Sequence, residues 1–499
     1  MKACKIEKAL VLGLLLSTSV YGVSMAEDLT VDGPQRDVNW TGRENVTSTV
    51  EEGDGGSGNI FVSGDVDITG KLTLINTQQD ETSGKGINAY NGHVTISAKE
   101  IEINTWDDGV FTSGPSNDGA NDLNTNVEIK DFTKLDITST HGFGIINNGN
   151  SYGVDWKDFW ITGAWDPNTA QNKGDIYITG NEDSIITIQG GYKNNLASDA
   201  KAAVKNGLKA SLVPDNSTDY KTVVSGGTIN LTGVGYGTWA ETGQVEIIGK
   251  KNTIRAILDE RFKEEYNKSA YTNFGIGVYN QKDSATTTIK ATDSNVIHGD
   301  KEAVKSNGGK VEITGNSNTF DVSYDNKIVK ESLKSDVSDI DRYALHTTAD
   351  KALIDVDATG INTITSIQQG IYAEKGTVDV TGEDNTIIAG DMVQYKENNI
   401  IYTYGKDLAI HAGSENSKGT ATYAGTVNLT ANNGDNDLFG AVYAIGNSTN
   451  VNIRNAEGAQ SGVYSAAIID GAGDLQDEEK FDGKQVVSAL YAEHGATVN

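Results

Sequence analysis

One stretch returns along this chain, and its spacing limits the folds open to it. Gly370 to Ile387 reads GIYAEKGTVDVTGEDNTI. Ala303 to Phe320 reads AVKSNGGKVEITGNSNTF, Thr238 to Ile254 reads TWAETGQVEIIGKKNTI, and Gly174 to Ile185 reads GDIYITGNEDSI. Partial copies run from Gly86 to Ile96 and from Leu490 to Asn499. Ile176, Val245, Val311 and Val378 hold equivalent places, 69, 66 and 67 residues apart. A period of that size marks stacked supersecondary units, each unable to bury its apolar side alone.

Inside one unit, short strands are expected near Ile276–Val278, Thr288–Ile289, Val296–Ile297, Ala303–Val304, Val311–Ile313 and Thr319–Phe320. Apolar and polar residues alternate within most of these runs, and Gly, Asn or Asp bound them, as in half-buried strands. Six strands at this spacing predict two coils of a three-sided parallel β-helix of about 20–25 residues each. The expected fold is therefore all-β. A polar, Gly-rich lead-in or cap is expected over 27–58, and the solenoid over 59–499. At about 4.8 Å per coil, 15–18 coils would make a rod roughly 70–90 Å long.

Each unit has surplus residues directly after its NTI or NTF strand. Inserts are expected near 189–208, 255–274, 321–343 and 388–407, with another loop near 471–484. The first three have helical character. Ile257, Leu258, Phe262 and Tyr266 share one helical face, as do Val329, Leu333, Val337 and Ile340, and 197–208 is Ala-rich. If each unit is two coils, these inserts form a row spaced roughly 10 Å apart. They are candidate contacts for partners, or a cover for one side of the solenoid.

Bulk properties narrow the class further. There are 57 Gly and only 4 Pro, and hydrophobic residues make up 37%. That suits many short strands with frequent turns rather than a helical bundle. The formal charge is −29. Such a chain repels phosphate backbones, so nucleic acid is not an expected partner. Residues 1–26 read as a signal peptide. Lys2, Lys5 and Lys8 precede the apolar run Ala9–Leu16, and Ser24 and Ala26 are small residues at a cleavage site. The run is too short for a lasting membrane span. The single cysteine, Cys4, lies before that run, so the mature chain has neither disulfide nor thiolate metal site.

Chemical signatures are sparse. No HExxH, CxxC or GxSxG pattern occurs, and the six histidines are scattered. Gly53-Asp54-Gly55-Gly56-Ser57-Gly58 has Gly55 where a serine nucleophile would stand, and does not continue as a calcium nonapeptide repeat. Asp355-Val356-Asp357 and Asp435-Asn436-Asp437 suit at most weak calcium binding, and no cofactor is expected. The segment 150–173 is distinctive. It gathers Trp156, Trp160 and Trp165 with Tyr152, Phe159 and Asp166. Exposed aromatic planes stack on sugar faces and carboxylates accept hydroxyl bonds, so Trp156, Trp160, Trp165 and Asp166 form a candidate glycan site. The competing reading is a hairpin with its own small apolar core. Two residue types read as scaffold. Asn252, Asn318 and Asn385 are expected at corners with a left-handed backbone, bonding to one another along the axis. Gly243, Gly309 and Gly376 are expected at corners that need positive φ.

The signal peptide, the cysteine-free mature chain and the recurring GIYAEKGTVDVTGEDNTI-type coils resemble the passenger region of type V secretion autotransporters. The likeness is to the adhesin-like, self-associating passengers of Gram-negative bacteria. It implies a right-handed parallel β-helix displayed at the cell surface and threaded through an outer-membrane β-barrel. No barrel strands occur here, and the chain stops within a strand pattern, so a fragment of a longer protein is expected. The implied function is adhesion to surface glycans or proteins, or self-association, with no enzymatic activity. The alternative is a secreted glycan-active lyase or glycosidase, or a glycan-binding module.

Overall fold

The computed structural model describes residues 27–54, 58–79, 84–90, 92–113, 124–148, 173–191, 201–207, 220–257, 274–322, 342–390, 392–397, 400–405, 407–415, 422–459, 461–465 and 489–499. Among these residues there is no helix. The chain winds as a parallel β-helix with three faces, and 35 strands join one hydrogen-bonded ladder.

Alternation in the sequence produces this winding. On face 1, Val245, Thr287, Val311, Ile354, Val378, Val427 and Val451 lie in register on successive coils. Their neighbours Glu246, Thr288, Glu312, Asp355, Asp379, Asn428 and Asn452 form the outer row. Face 2 carries the longest ladder. It runs Val31, Ser48, Leu74, Ile103, Ile137, Ile188 and Leu231, then Ile254, Ile297, Phe320, Ile364, Ile387, Leu438 and Val463. These rungs make a rod of roughly 60 Å at 4.8 Å per coil. Among the described residues this ladder has 14 rungs, against the 15–18 coils expected. One apolar cluster runs along the axis from Val38 to Val451. An apolar core stacked this way needs no disulfide: each coil's backbone groups pair with the coils above and below.

The repeat is a two-coil unit. Val245, Val311 and Val378 are separated by Thr287 and Ile354, which occupy the coils between them. From Ile188 onward the passages from face 2 to face 3 alternate. The strand ladder is interrupted between Gly191 and Lys201, Ile257 and Phe274, Val322 and Arg342, Gly390 and Asp407, and Ser465 and Ala489. The intervening passages are short, such as Gly299–Glu302 and Ser366–Gln369. Of the segments expected to be helical, the Ala-rich run 197–208 needs correction: Lys201–Asn206 is a strand in the face 3 ladder, because Ala202 and Val204 are buried against the neighbouring coils. The helical parts of the other two lie almost wholly outside the described residues. The fourth contains an antiparallel hairpin, Met392–Glu397 with Ile400–Gly405.

Two further expectations need correction. The lead-in over 27–58 is not irregular. Leu29–Asp32, Gln35–Arg43 and Val46–Val50 are strands already in the ladder. Its polar composition masked the alternation of Val46, Ser48 and Val50, all buried. Ser48 is tolerated inside because Asn59 Nδ2 donates to its hydroxyl at 3.1 Å and to its carbonyl at 3.0 Å. The recurring asparagines also differ from expectation. They are buried strand residues, and none has positive φ. Each side-chain amide faces inward and spans one coil step. Asn252 donates to Asn295 at 2.9 Å, Asn295 to Asn318 at 2.8 Å, and Asn318 to Asn362 at 3.0 Å. Asn362 donates to Asn385, and Asn385 to Asn436, both at 2.8 Å. The same nitrogens also donate to backbone carbonyls of the next coil, including Thr314, Asp357 and Thr381. A buried amide without partners would cost about 1–3 kcal/mol, so a single break in this chain is felt on both sides. The glycines behave as expected: Gly243, Gly309 and Gly376 have φ of 71°, 69° and 79°.

Candidate functional site on the third face

Face 3 breaks the one-sided rule. On face 1, Lys310–Gly315 alternates between buried and half-buried residues. On face 3, Tyr343–Thr347 and Ala441–Ile445 are buried at every position. On neighbouring coils the outward position is half-buried, so this row carries side chains that must find partners largely away from water.

That row is aromatic, imidazole and cationic. In register on successive coils stand Lys205, Trp239, Tyr279, Lys305, His346, Tyr372, His411, Tyr443 and Tyr491. The coil step brings their rings into contact. His346 and Tyr372 stack at 5.0 Å, and Tyr372 and His411 at 4.3 Å. His411 meets Tyr443 at 5.1 Å, and Tyr443 meets Tyr491 at 5.7 Å. Farther up the rod, Lys205 Nζ lies 4.0 Å from the Trp239 ring centroid. Tyr236 stacks on Tyr279 at 5.3 Å. Ring pairs of this kind add about 0.5–1.5 kcal/mol each beyond their buried area.

Glu302 is the electrostatic centre of the face and is fully buried. Lys305 Nζ lies 2.9 Å from its carboxylate, Lys301 Nζ 3.3 Å and His346 Nδ1 3.2 Å. Burial by itself would raise this carboxyl's pKa; Lys305, His346 and Lys301 outweigh it and hold the group well below the usual carboxylate range. One coil edge away, His298 has Asp321 at 3.2 Å from Nδ1 and Asp300 at 3.2 Å from Nε2. Burial opposes its charge, but hydrogen bonds to both carboxylates overcome this and push its pKa up to about 9. His411 goes the other way. Burial, reinforced by His346, pushes its pKa down to about 3. It is therefore neutral and shares a ring nitrogen contact with Gln369 Oε1 at 3.2 Å.

Among the described residues, this arrangement positions no nucleophile against a base with a third orienting group. No group of three or more described His, Cys, Asp or Glu is placed to hold a metal ion. Asp355 faces outward on face 1 and pairs with Lys310 at 3.2 Å. Asp437 is raised by burial and by the neighbouring carboxylates of Asp435 and Asp384. Trp156, Trp160, Trp165 and Asp166 lie outside the described residues. Only part of the face 3 ladder is visible in the sequence. Tyr372 and Tyr491 sit inside the repeated strings GIYAEKG and LYAEHG, but a coil register is needed to align them with His346, His411 and Tyr443. Comparison with protein-family models, curated proteins and solved structures gives no match.

Proposed function

We propose that this chain is the exported, surface-displayed rod of an autotransporter-type passenger, acting as an adhesin or self-association module. The observation that carries the reading is the alternation of short and interrupted passages between faces 2 and 3. Interruptions after Gly191, Ile257, Val322, Gly390 and Ser465 fall at one corner of every second coil. Their axial spacing is roughly 10 Å. Many weak contacts repeated at fixed intervals along a stiff support add through effective concentration, which suits attachment to a multivalent surface. The partners are surface glycans, surface proteins or a second copy of the rod.

The test removes 258–273, 323–341 and 391–406, joining each gap with a short Gly-Ser linker, and displays the chain on cells. Loss of cell adhesion or aggregation with the β-sheet circular dichroism retained is the expected result. Unchanged adhesion and aggregation would overturn the reading.

A further inference from the structure

We propose that Lys85 and Asp107 become joined by an intramolecular amide bond between two successive coils, with Asp108 as the proton-transfer group. Lys85 precedes the face 3 strand Ile87–Tyr90, and Asp107 and Asp108 precede the next rung, Val110–Ser113. Three backbone bonds clamp the two segments together. Asp107 N–H donates to Gly84 C=O at 2.9 Å, Gly86 N–H to Asp108 C=O at 3.1 Å, and Ile87 N–H to Gly109 C=O at 3.0 Å. The carbonyl of Asp107 is further held by Thr105 Oγ1 at 2.8 Å and Ser139 Oγ at 2.6 Å.

Within this clamp Lys85 Nζ touches Asp107 Oδ2 and lies 3.4 Å from Asp108 Oδ2. All three side chains are 8% exposed. The Phe111 ring lies 5.1 Å from Nζ. Asp108 is oriented by its other oxygen, which accepts the backbone N–H of Phe143 at 2.9 Å. An amine held in reach of a carboxyl carbon, in a dry site, has the proximity that amide formation lacks in water. Two carboxylates face one amine, a net negative charge that burial disfavours. Burial and the charge of Asp108 push Asp107 up to about 7. The charge and hydrogen bond of Lys85, and after them Lys201, act in the opposite direction without cancelling the rise. Near neutral pH Asp107 is thus partly the carboxylic acid, which the reaction requires. Burial favours the neutral amine of Lys85, but Asp108 and Asp107 outweigh it, so the resting group is an ammonium.

The step balances without any outside reagent. The Lys85 ammonium passes one proton to the Asp108 carboxylate. Its lone pair then attacks Cγ of protonated Asp107, forming the C–N bond. The tetrahedral intermediate expels its hydroxyl group as water. Of the two remaining amine protons, one leaves with that water and one stays on the amide. Asp108 ends protonated and returns its proton to solvent. Other buried lysines are held differently. Lys205 faces Glu241 at 3.8 Å, while Lys301 and Lys305 share the carboxylate of Glu302.

The test is the mass of the purified chain. The expected value is about 18 Da below that of the unlinked chain, with a branched proteolytic peptide joining Lys85 to Asp107. A full unlinked mass overturns the proposal. Asp108 is followed by Gly109, where a cyclic imide would lose the same water, so Lys85→Arg separates the two. The deficit should vanish in Lys85→Arg; a deficit that persists there overturns the proposal. Asp108→Asn keeps both bonding partners and should slow cross-link formation about 100-fold. Unchanged formation in Asp108→Asn removes Asp108's role. If Lys85→Arg does not fold, the branched peptide of the unmutated chain decides.

Discussion

On face 2, Thr253, Thr319, Thr363 and Thr386 stand outward and half-buried, while asparagine amides and aliphatic side chains alternate beneath them. On face 3, the outward positions of the same coils hold Tyr279, His346, Tyr372 and His411, with Lys305 on the coil between the first two. Both faces repeat at one coil step, yet their polar groups are satisfied differently. The face 2 asparagines bond to identical groups one coil away and to the backbone. Any coil with an Asn at that place extends the chain, so the device is indifferent to which coil it is. Face 3 relies on particular neighbours: Glu302 needs Lys301, Lys305 and His346, and His411 needs Tyr372, Tyr443 and Gln369. The periodic face is the generic support. The aperiodic face gives each coil its own identity.

Breaking the centre of face 3 should have the largest effect. Glu302→Ala removes the buried carboxylate shared by Lys301, Lys305 and His346, and should cost about 3–5 kcal/mol. The shift in the denaturant midpoint measures it; a change under about 1 kcal/mol would mean that the cluster is not tightly packed. On face 2, Asn318→Ala removes the acceptor of Asn295 and the donor to Asn362 and Asp357. A loss of about 3 kcal/mol is expected. Asn295→Ala and Asn362→Ala should cost similar amounts if the ladder is as generic as its geometry suggests. Unequal losses would count against the contrast.

Acidity separates the two kinds of region further. His298 is raised from 6.5 to about 9, so its contribution is complete below pH 6.5 and lost as the pH climbs through 9. His411 is depressed from 6.5 to about 3, so the unfolded chain binds that proton first and stability falls as the pH drops from 6.5 towards 3. Glu302 adds to the acid limb, because its ionised form is the one held in place. His411→Phe should flatten the acid limb and His298→Gln the alkaline limb, in unfolding midpoints measured from about pH 3 to 10. A pH profile unchanged by either substitution would contradict the assigned environments. The smallest of the main effects concerns a corner. Gly376→Ala forces a side chain into positive φ, with its Cβ 2.4 Å from the Ala352 carbonyl oxygen, and should cost about 1–3 kcal/mol. Thr386→Ser on the outer row of face 2 should stay within about 0.5 kcal/mol.

The winding is legible in the amino-acid string itself. Inward positions alternate with outward ones, the period of 66 to 69 residues counts two coils, and Gly243, Gly309 and Gly376 announce corners. These signals are local or strictly periodic, so a linear string carries them. The axial bonding of the asparagines is readable there too, but not their conformation. Asn tolerates the left-handed backbone, whereas buried strands offer it identical neighbours about 4.8 Å away, and here the second environment prevails.

What the sequence determined alone is therefore the solenoid: which residues point inward and where the chain turns. Only the tertiary structure decided which outward residues meet. Glu302 and His346 are 44 residues apart, and Tyr443 and Glu493 are 50 apart. Segments of unequal length lie between such partners, so no fixed spacing in the sequence brings them together. The hydrogen-bonded register of the coils does, and it converts scattered Tyr, His, Lys and Glu into one continuous row of buried and half-buried side chains.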